Sequence, residues 1–138
     1  MTLSVAEKMA IHELLSRAAY AYDERDMKAL EQGFAPEATM SMRIAGGDLI
    51  GPFEGRPAIL ELMRNSMAQQ SDVRRHVVSN IFFEEGEKNP VAVSNLTLIT
   101  TLDGKAEMLA TGIYRDELVE EGGVWRILQR HVELDSAY

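Results

Sequence analysis

The sequence predicts an α+β fold in which three helices cover one face of a curved antiparallel sheet, in the order α-α-β-β-α-β-β-β-β. Three observations lead there. Apolar residues recur at helical spacing only in the first half of the chain. From Ser71 onward the chain reads as strand throughout, in runs rich in Val, Ile, Leu and Thr. The turns between those runs are too short for a crossover, so the last four strands form an antiparallel meander. A long meander covered on one side twists and curls, because one of its faces must be buried. The expected shape is a cone with a concave inner face and a helical lid.

The first helix opens at Ser4, with Glu7 three residues on, the pattern of a capping box. Met9 or Ile11, then Leu14, Leu15, Ala18 and Tyr22, carry its apolar face over about twenty residues. Asp26 caps a short second helix over 27–32, and Gly33 closes it. Residues 39–44 form a strand, Ala45-Gly-Gly-Asp48 turns it, and residues 49–53 return. Pro57 stands in the first turn of the third helix, whose face is Ile59, Leu60, Leu62, Met63 and Met67. Four strands follow over 74–84, 91–102, 106–118 and 124–134. Gly86-Glu-Lys-Asn-Pro90, Asp103-Gly104 and Glu120-Glu-Gly-Gly123 turn them. No repeat, low-complexity run or linker interrupts residues 1–138, which read as a single domain.

Composition narrows the function classes. A formal net charge of −8 argues against a nucleic-acid surface, which needs a basic stripe, and against an anionic membrane. The chain has no cysteine, which excludes disulfides, thiolate nucleophiles and cysteine-ligated metal. The three histidines lie far apart, in no metal-ligand pattern on a helix, and no glycine-rich strand–turn–helix cradles a phosphate. Neither a metal nor another cofactor is expected. The first residues lack the basic start and apolar core of a secretion signal, and no apolar run approaches a membrane span, so the expected location is cytoplasmic.

Candidate chemistry concentrates where the first helix ends, in Ala18-Ala-Tyr-Ala-Tyr-Asp-Glu-Arg-Asp26. Two phenols and a carboxylate stand there among apolar residues, and a buried carboxylate needs a partner. His76 is the best candidate for Asp23. A neutral imidazole is a good general base near neutral pH, and a carboxylate on its other nitrogen fixes the tautomer and stabilises the imidazolium. The alternative is a helix-capping Asp23 and a satisfied core His76. A donor for a leaving group or enolate is sought among Tyr20, Tyr22 and Tyr114, with Tyr22 first because it adjoins Asp23. On the strand of Tyr114, small Ala110 and Gly112 share its face and leave room for a ligand. Asn80 shares strand parity with His76, Val78 and Phe82 and is expected to face the same cavity. Of the last strand, either the Arg126, Leu128, Arg130 set or the Trp125, Ile127, Gln129, His131 set lines the interior. Eight methionines, Met42 among them, suit a pliable apolar pocket as well as a plain core.

Several of these segments resemble known proteins. Tyr22-Asp23, Phe34-Ala-Pro-Glu-Ala38, Phe53-Glu-Gly-Arg-Pro-Ala-Ile59, Arg75-His76, Thr111-Gly-Ile-Tyr-Arg-Asp-Glu-Leu118 and Gly123-Val-Trp-Arg-Ile127 together resemble the nuclear transport factor 2-like cone, and within it the SnoaL-like group. Arg130-His-Val-Glu-Leu-Asp135 resembles small subunits of ring-hydroxylating dioxygenases. A Tyr-Asp pair closing the first helix and a His early in the third strand resemble scytalone dehydratase; hexachlorocyclohexane dehydrochlorinase and bile-acid dehydratases are similar in the Asp and His. In those relatives the pair removes a proton next to a leaving group. The second active-site histidine of scytalone dehydratase has no counterpart, and Asn95 and Thr97 stand in about that region. The base of ketosteroid isomerase falls near Met42, which cannot take a proton, so that activity is rejected.

The resemblance implies a cofactor-independent lyase or isomerase acting on a small hydrophobic cyclic molecule. Asp23, His76 and Tyr22 are then the catalytic candidates, and Tyr114, Asn80, Asn95 and Met42 the substrate-binding ones. The alternative is a non-catalytic SnoaL-like binding or assembly domain related to dioxygenase small subunits. In either case a homodimer or homotrimer is expected, since the outer sheet face also carries apolar residues.

Overall fold

The computed structural model describes residues 2–138. The elements run as helix α1 (Val5–Asp23), helix α2 (Met27–Gln32), strands β1 (Phe34–Ile44) and β2 (Ile50–Glu54), helix α3 (Arg56–Ala68), and strands β3 (Val73–Glu85), β4 (Pro90–Leu102), β5 (Lys105–Glu121) and β6 (Val124–Leu134). The strands form one curved, unclosed sheet in the order β2-β1-β6-β5-β4-β3. Every ladder is antiparallel except that between β1 and β6, which is parallel. Since β2 and β3 are opposite edges of the sheet, α3 must carry the chain between them, and it packs on β1 and β2 as it does so. Helix α1 packs on β3 and β6, so both long helices cover the same concave face.

Local chemistry explains the elements. Ser4 and Glu7 close the capping box reciprocally, Ser4 N–H donating to Glu7 Oε1 at 2.9 Å and Glu7 N–H to Ser4 Oγ at 3.1 Å. Two orphan donors of α1 are thereby satisfied. Asp26 caps α2 by accepting from Ala29 N–H. The core lies between helices and sheet, with Ile11, Leu15, Leu30, Phe34, Ile59, Leu118 and Ile127 all enclosed. Strand β1 starts earlier than alternation suggests because Phe34 and Ala35 are both pulled into that core. Pro36 is tolerated there because the β1–β6 register breaks between Phe34 and Thr39.

Bulges decide which side chains reach the concave face. An extra residue in a strand reverses the in–out alternation beyond it. In β3 the register shifts between Ser79 and Phe82, and Asn80 adopts a positive φ of 55°. Asn80 is therefore exposed rather than cavity-facing, Phe82 points outward, and Ile81 and Phe83 pack on the core instead. The expectation for Asn80 fails because strand parity does not survive the bulge. Asn95 also leaves the list of inward candidates. The inner series of β4 is Ala92, Ser94, Leu96 and Leu98, which puts Asn95 on the outer face, exposed. In β6 a second bulge at Leu128 breaks both expected sets, and Ile127 and Arg130 are buried together.

Gly112 has a different reason from the one expected. A Cβ there would lie 2.4 Å from the Glu133 carbonyl oxygen on β6. The position is small because two backbones approach closely, not to make room for a ligand. Gly112→Ala should destabilise the fold by about 1–3 kcal/mol through overpacking, read as a lower midpoint of urea unfolding.

Candidate active site

Asp23 is the last residue of α1, and its side chain is only 5% exposed. Its two carboxylate oxygens both go to one residue. Oδ1 lies 2.6 Å from His76 Nδ1, and Oδ2 accepts from the His76 backbone N–H at 2.8 Å. With the carboxylate as acceptor, Nδ1 carries the ring proton, and Nε2 is left as a basic nitrogen with no hydrogen-bond partner among the described residues. Tyr22 meets the imidazole edge-on, ring centroids 5.0 Å apart. Its hydroxyl accepts from Gln70 Nε2 at 3.0 Å. Burial raises the Tyr22 phenol above its ordinary pKa, and the Gln70 hydrogen bond works against that.

The segments after α1 and α3 hold this corner. Arg25 adopts a positive φ of 57°, which turns the chain out of the helix. Its guanidinium then donates to the Met67 and Gln70 carbonyls at 3.2 and 2.5 Å. Glu24 pairs with Arg75 on β3 at 3.0 Å. At the same edge Asp72 accepts from the Thr100 hydroxyl and from Arg74, and these bonds hold its carboxyl below the usual range. The Arg74 guanidinium sits 5.5 Å from the Tyr138 ring centroid.

A second polar group lies across the concave face. Arg130 and Asp116 form a buried two-point ion pair on neighbouring strands, Nε to Oδ1 at 2.8 Å and Nη2 to Oδ2 at 3.1 Å. Burial pulls the guanidinium pKa down, but Asp116 outweighs it and holds Arg130 charged. The guanidinium carbon stands 4.1 Å from the Tyr114 ring centroid, and Nη1 has no hydrogen-bond partner among the described residues. Tyr114 is buried, and its hydroxyl likewise has no hydrogen-bond partner among the described residues. Ser94 is its cross-strand neighbour, and Ser94 Oγ is fully enclosed without a hydrogen bond. Met42 lies half-buried against the same core.

The fold thus brings Asp23, His76 and Tyr22 together, keeps Tyr114 and Met42 on the inner side, and excludes Asn80, Asn95 and the exposed Tyr20. Sequence reasoning missed Asp116, Ser94 and Gln70. Asp116 carried a signal, since an acid in step with Gly112, Tyr114 and Leu118 demands a cation inside. Among the described residues no group of three or more His, Asp or Glu is placed to hold a metal ion. A groove of about 960 Å³ runs elsewhere, between the outward side of α1 and the β5–β6 turn, lined by Met9, Leu14, Tyr20, Val124 and Trp125. It holds no base oriented by a buried carboxylate, so volume and chemistry point to different places, and the chemistry decides.

A family model described as the SnoaL-like domain matches residues 4–131. The chain belongs to the SnoaL-like family. No curated protein matches this SnoaL-like chain. Its fold is shared with solved structures. A Catenulispora acidiphila protein solved in complex with S-DNPA is 22% identical with a TM-score of 0.82, covering 96% of each chain. ActVI-ORFA from Streptomyces coelicolor is 16% identical with a TM-score of 0.79, over 93% of this chain and 96% of its own. A protein assigned as the beta subunit of an aromatic-ring-hydroxylating dioxygenase from Novosphingobium aromaticivorans is 14% identical with a TM-score of 0.81, over 98% and 94%. No helix among the described residues is long and apolar enough to cross a membrane.

Two outcomes test the interior of this SnoaL-like domain. Asp116→Ala leaves a buried guanidinium unpaired and should cost about 3–5 kcal/mol, whereas Asp116→Leu with Arg130→Met should cost much less; urea midpoints compare them. Burial pushes the Tyr114 phenol up to about 12, from an ordinary 10.0. The folded state keeps a proton that the unfolded chain gives up. Its contribution is complete below pH 10.0 and disappears as the pH rises toward about 12. Tyr114→Phe should flatten the alkaline loss of stability across that window.

Proposed function

We propose that this SnoaL-like domain is a cofactor-independent lyase or isomerase that removes a proton from a small hydrophobic cyclic substrate. The observation that carries the reading is the Asp23–His76 contact, 2.6 Å to Nδ1, with Nε2 left free. His76 Nε2 takes the proton from an acidic C–H. Asp23 holds the ring by its Nδ1–H and by the backbone N–H, and stabilises the imidazolium that forms. Tyr22 donates to the oxygen that gains charge, and Tyr114 with the free Nη1 of Arg130 adds positive potential deeper on the concave face. Met42 and the apolar core residues around it receive the ring system.

The test is hydrogen exchange on 2-tetralone, an apolar bicyclic ketone with acidic α-hydrogens, followed by NMR in deuterated buffer. Wild-type protein should accelerate exchange over buffer. His76→Ala should lower that rate by about 10²–10⁴-fold, the usual worth of a positioned base, and Asp23→Asn should lower it in the same direction, both with the fold intact by circular dichroism. Exchange that is unchanged in His76→Ala would sink the assignment.

A second reading, a non-catalytic assembly domain, is favoured by the likeness to the dioxygenase beta subunit. A large oxygenase partner recovered with the tagged protein, together with no exchange on the ketone, would favour it. Under either reading the chain forms a homodimer or homotrimer through the outer sheet face, where Val77, Phe82 and Ile113 are exposed. Light scattering should give two or three times the monomer mass; a monomer throughout would refute this.

A further inference from the structure

A second chain of hydroxyl, imidazole and carboxylate lies on the outer face of the sheet. Strands β1 and β6 pair in parallel, with Ser41 opposite His131. Their neighbours Met40, Arg130 and Val132 are buried on the inner side. Alternation therefore turns Ser41, His131 and Glu133 outward, each half-buried. Ser41 Oγ lies 2.8 Å from His131 Nδ1, and His131 Nε2 lies 2.8 Å from Glu133 Oε1. A carboxylate only accepts, so Nε2 carries the ring proton. In the neutral imidazole Nδ1 is then the acceptor, and the Ser41 hydroxyl donates to it. An activated nucleophile needs this order: its proton points at a base, and an acid fixes the tautomer of that base.

The surroundings leave the hydroxyl approachable. The side chains of His131 and Glu133 are 25% and 44% exposed. On the other side of β1 the register to β2 slips between Met40 and Met42, so the exposed Gly51 and Pro52 both stand opposite Ser41. A bulge of this kind parts the ladder and re-aims the side chain beside it. Arg115 on β5 is the register partner of His131, and Arg43 follows Ser41 by two residues on the same side of β1. Arg115 is paired with Glu84, and Arg43 donates to the Gly47 carbonyl at 3.0 Å. Both guanidiniums bring positive potential to this part of the face, the sign that a developing oxyanion needs.

We propose that Ser41 is a nucleophile activated by His131 and Glu133, and that it takes acyl groups from small activated esters such as aryl acetates. Ser41 Oγ attacks the carbonyl carbon while its proton passes to His131 Nδ1. The C–O bond to the alcohol breaks, and Nδ1 returns the proton to the departing oxygen. Water then attacks acyl-Ser41 and gives its proton to the same nitrogen, which restores it to Oγ as the acid leaves. This site is on the opposite face from the Asp23–His76 corner and does not rest on that reading.

The test uses diisopropyl fluorophosphate, whose phosphorus bonds to a serine oxygen with loss of fluoride and leaves a stable adduct. The protein is treated as purified at neutral pH, and the peptides of Ser41, Ser71 and Ser136 are followed by mass spectrometry. Ser71 and Ser136 are exposed controls. Ser41 should react at least about 10²-fold faster than either, the lower end of what a positioned base contributes. His131→Ala should bring Ser41 down to the rate of the controls, and Glu133→Gln should slow it in the same direction, both with the fold intact by circular dichroism. A wild-type Ser41 that reacts no faster than Ser71 and Ser136 overturns the proposal, and so does labelling that His131→Ala leaves unchanged. Para-nitrophenyl acetate reports the transfer itself. An imidazole alone hydrolyses that ester, so wild type is compared with Ser41→Ala: faster release of nitrophenol by wild type is expected, and equal release overturns the acyl transfer.

Discussion

A single buried carboxylate organises this molecule. Strand β3 is an edge of the sheet, so alternate backbone N–H groups along it face away from the ladder. Asp23, arriving at the end of α1, takes one of them at His76 and takes the imidazole of the same residue with its other oxygen. One ion therefore does three things. It docks the helix end on the sheet edge, satisfies an open edge donor, and sets the orientation of a ring whose second nitrogen stays basic. The two side chains are largely enclosed, 13% and 5% exposed, so each gains from the other as a hydrogen-bond partner.

The concave face then carries two polar groups within an apolar lining. One is the corner of Asp23, His76, Tyr22 and Gln70. The other is the Asp116–Arg130 pair beneath Tyr114. The pair is neutral as a whole, so the interior tolerates it, yet it leaves one guanidinium nitrogen and the nearby Tyr114 phenol without hydrogen-bond partners among the described residues. SnoaL-like relatives share the frame, but the frame by itself carries no activity.

Helix and strand existence was legible along the chain, because apolar spacing, the Ser4–Glu7 box, Asp26, Pro57 and the Asp103-Gly104 turn are local signals. The pairing of Asp23 with His76 was legible as well, through a resemblance and through the oddity of an acid on an apolar helix face. The inward lists were not. Asn80 was placed by counting in twos from His76, and an unseen bulge between Ser79 and Phe82 reversed the count. The same fault at Leu128 brought Ile127 and Arg130 to one side, which neither expected set allowed. Gly112 was taken for open space when a neighbouring carbonyl fills it.

What the sequence determined by itself was the order of elements, the strand partners joined by short turns, and the residue types at the helix end. These depend on interactions within a few residues. The tertiary structure alone decided which edge α1 reaches, where strands gain an extra residue, and that Gln70 and Asp116 join the polar groups. Those outcomes depend on packing between segments far apart in the chain. A bulge forms where the facing strand and the covering helix leave room for it, and no local pattern records that.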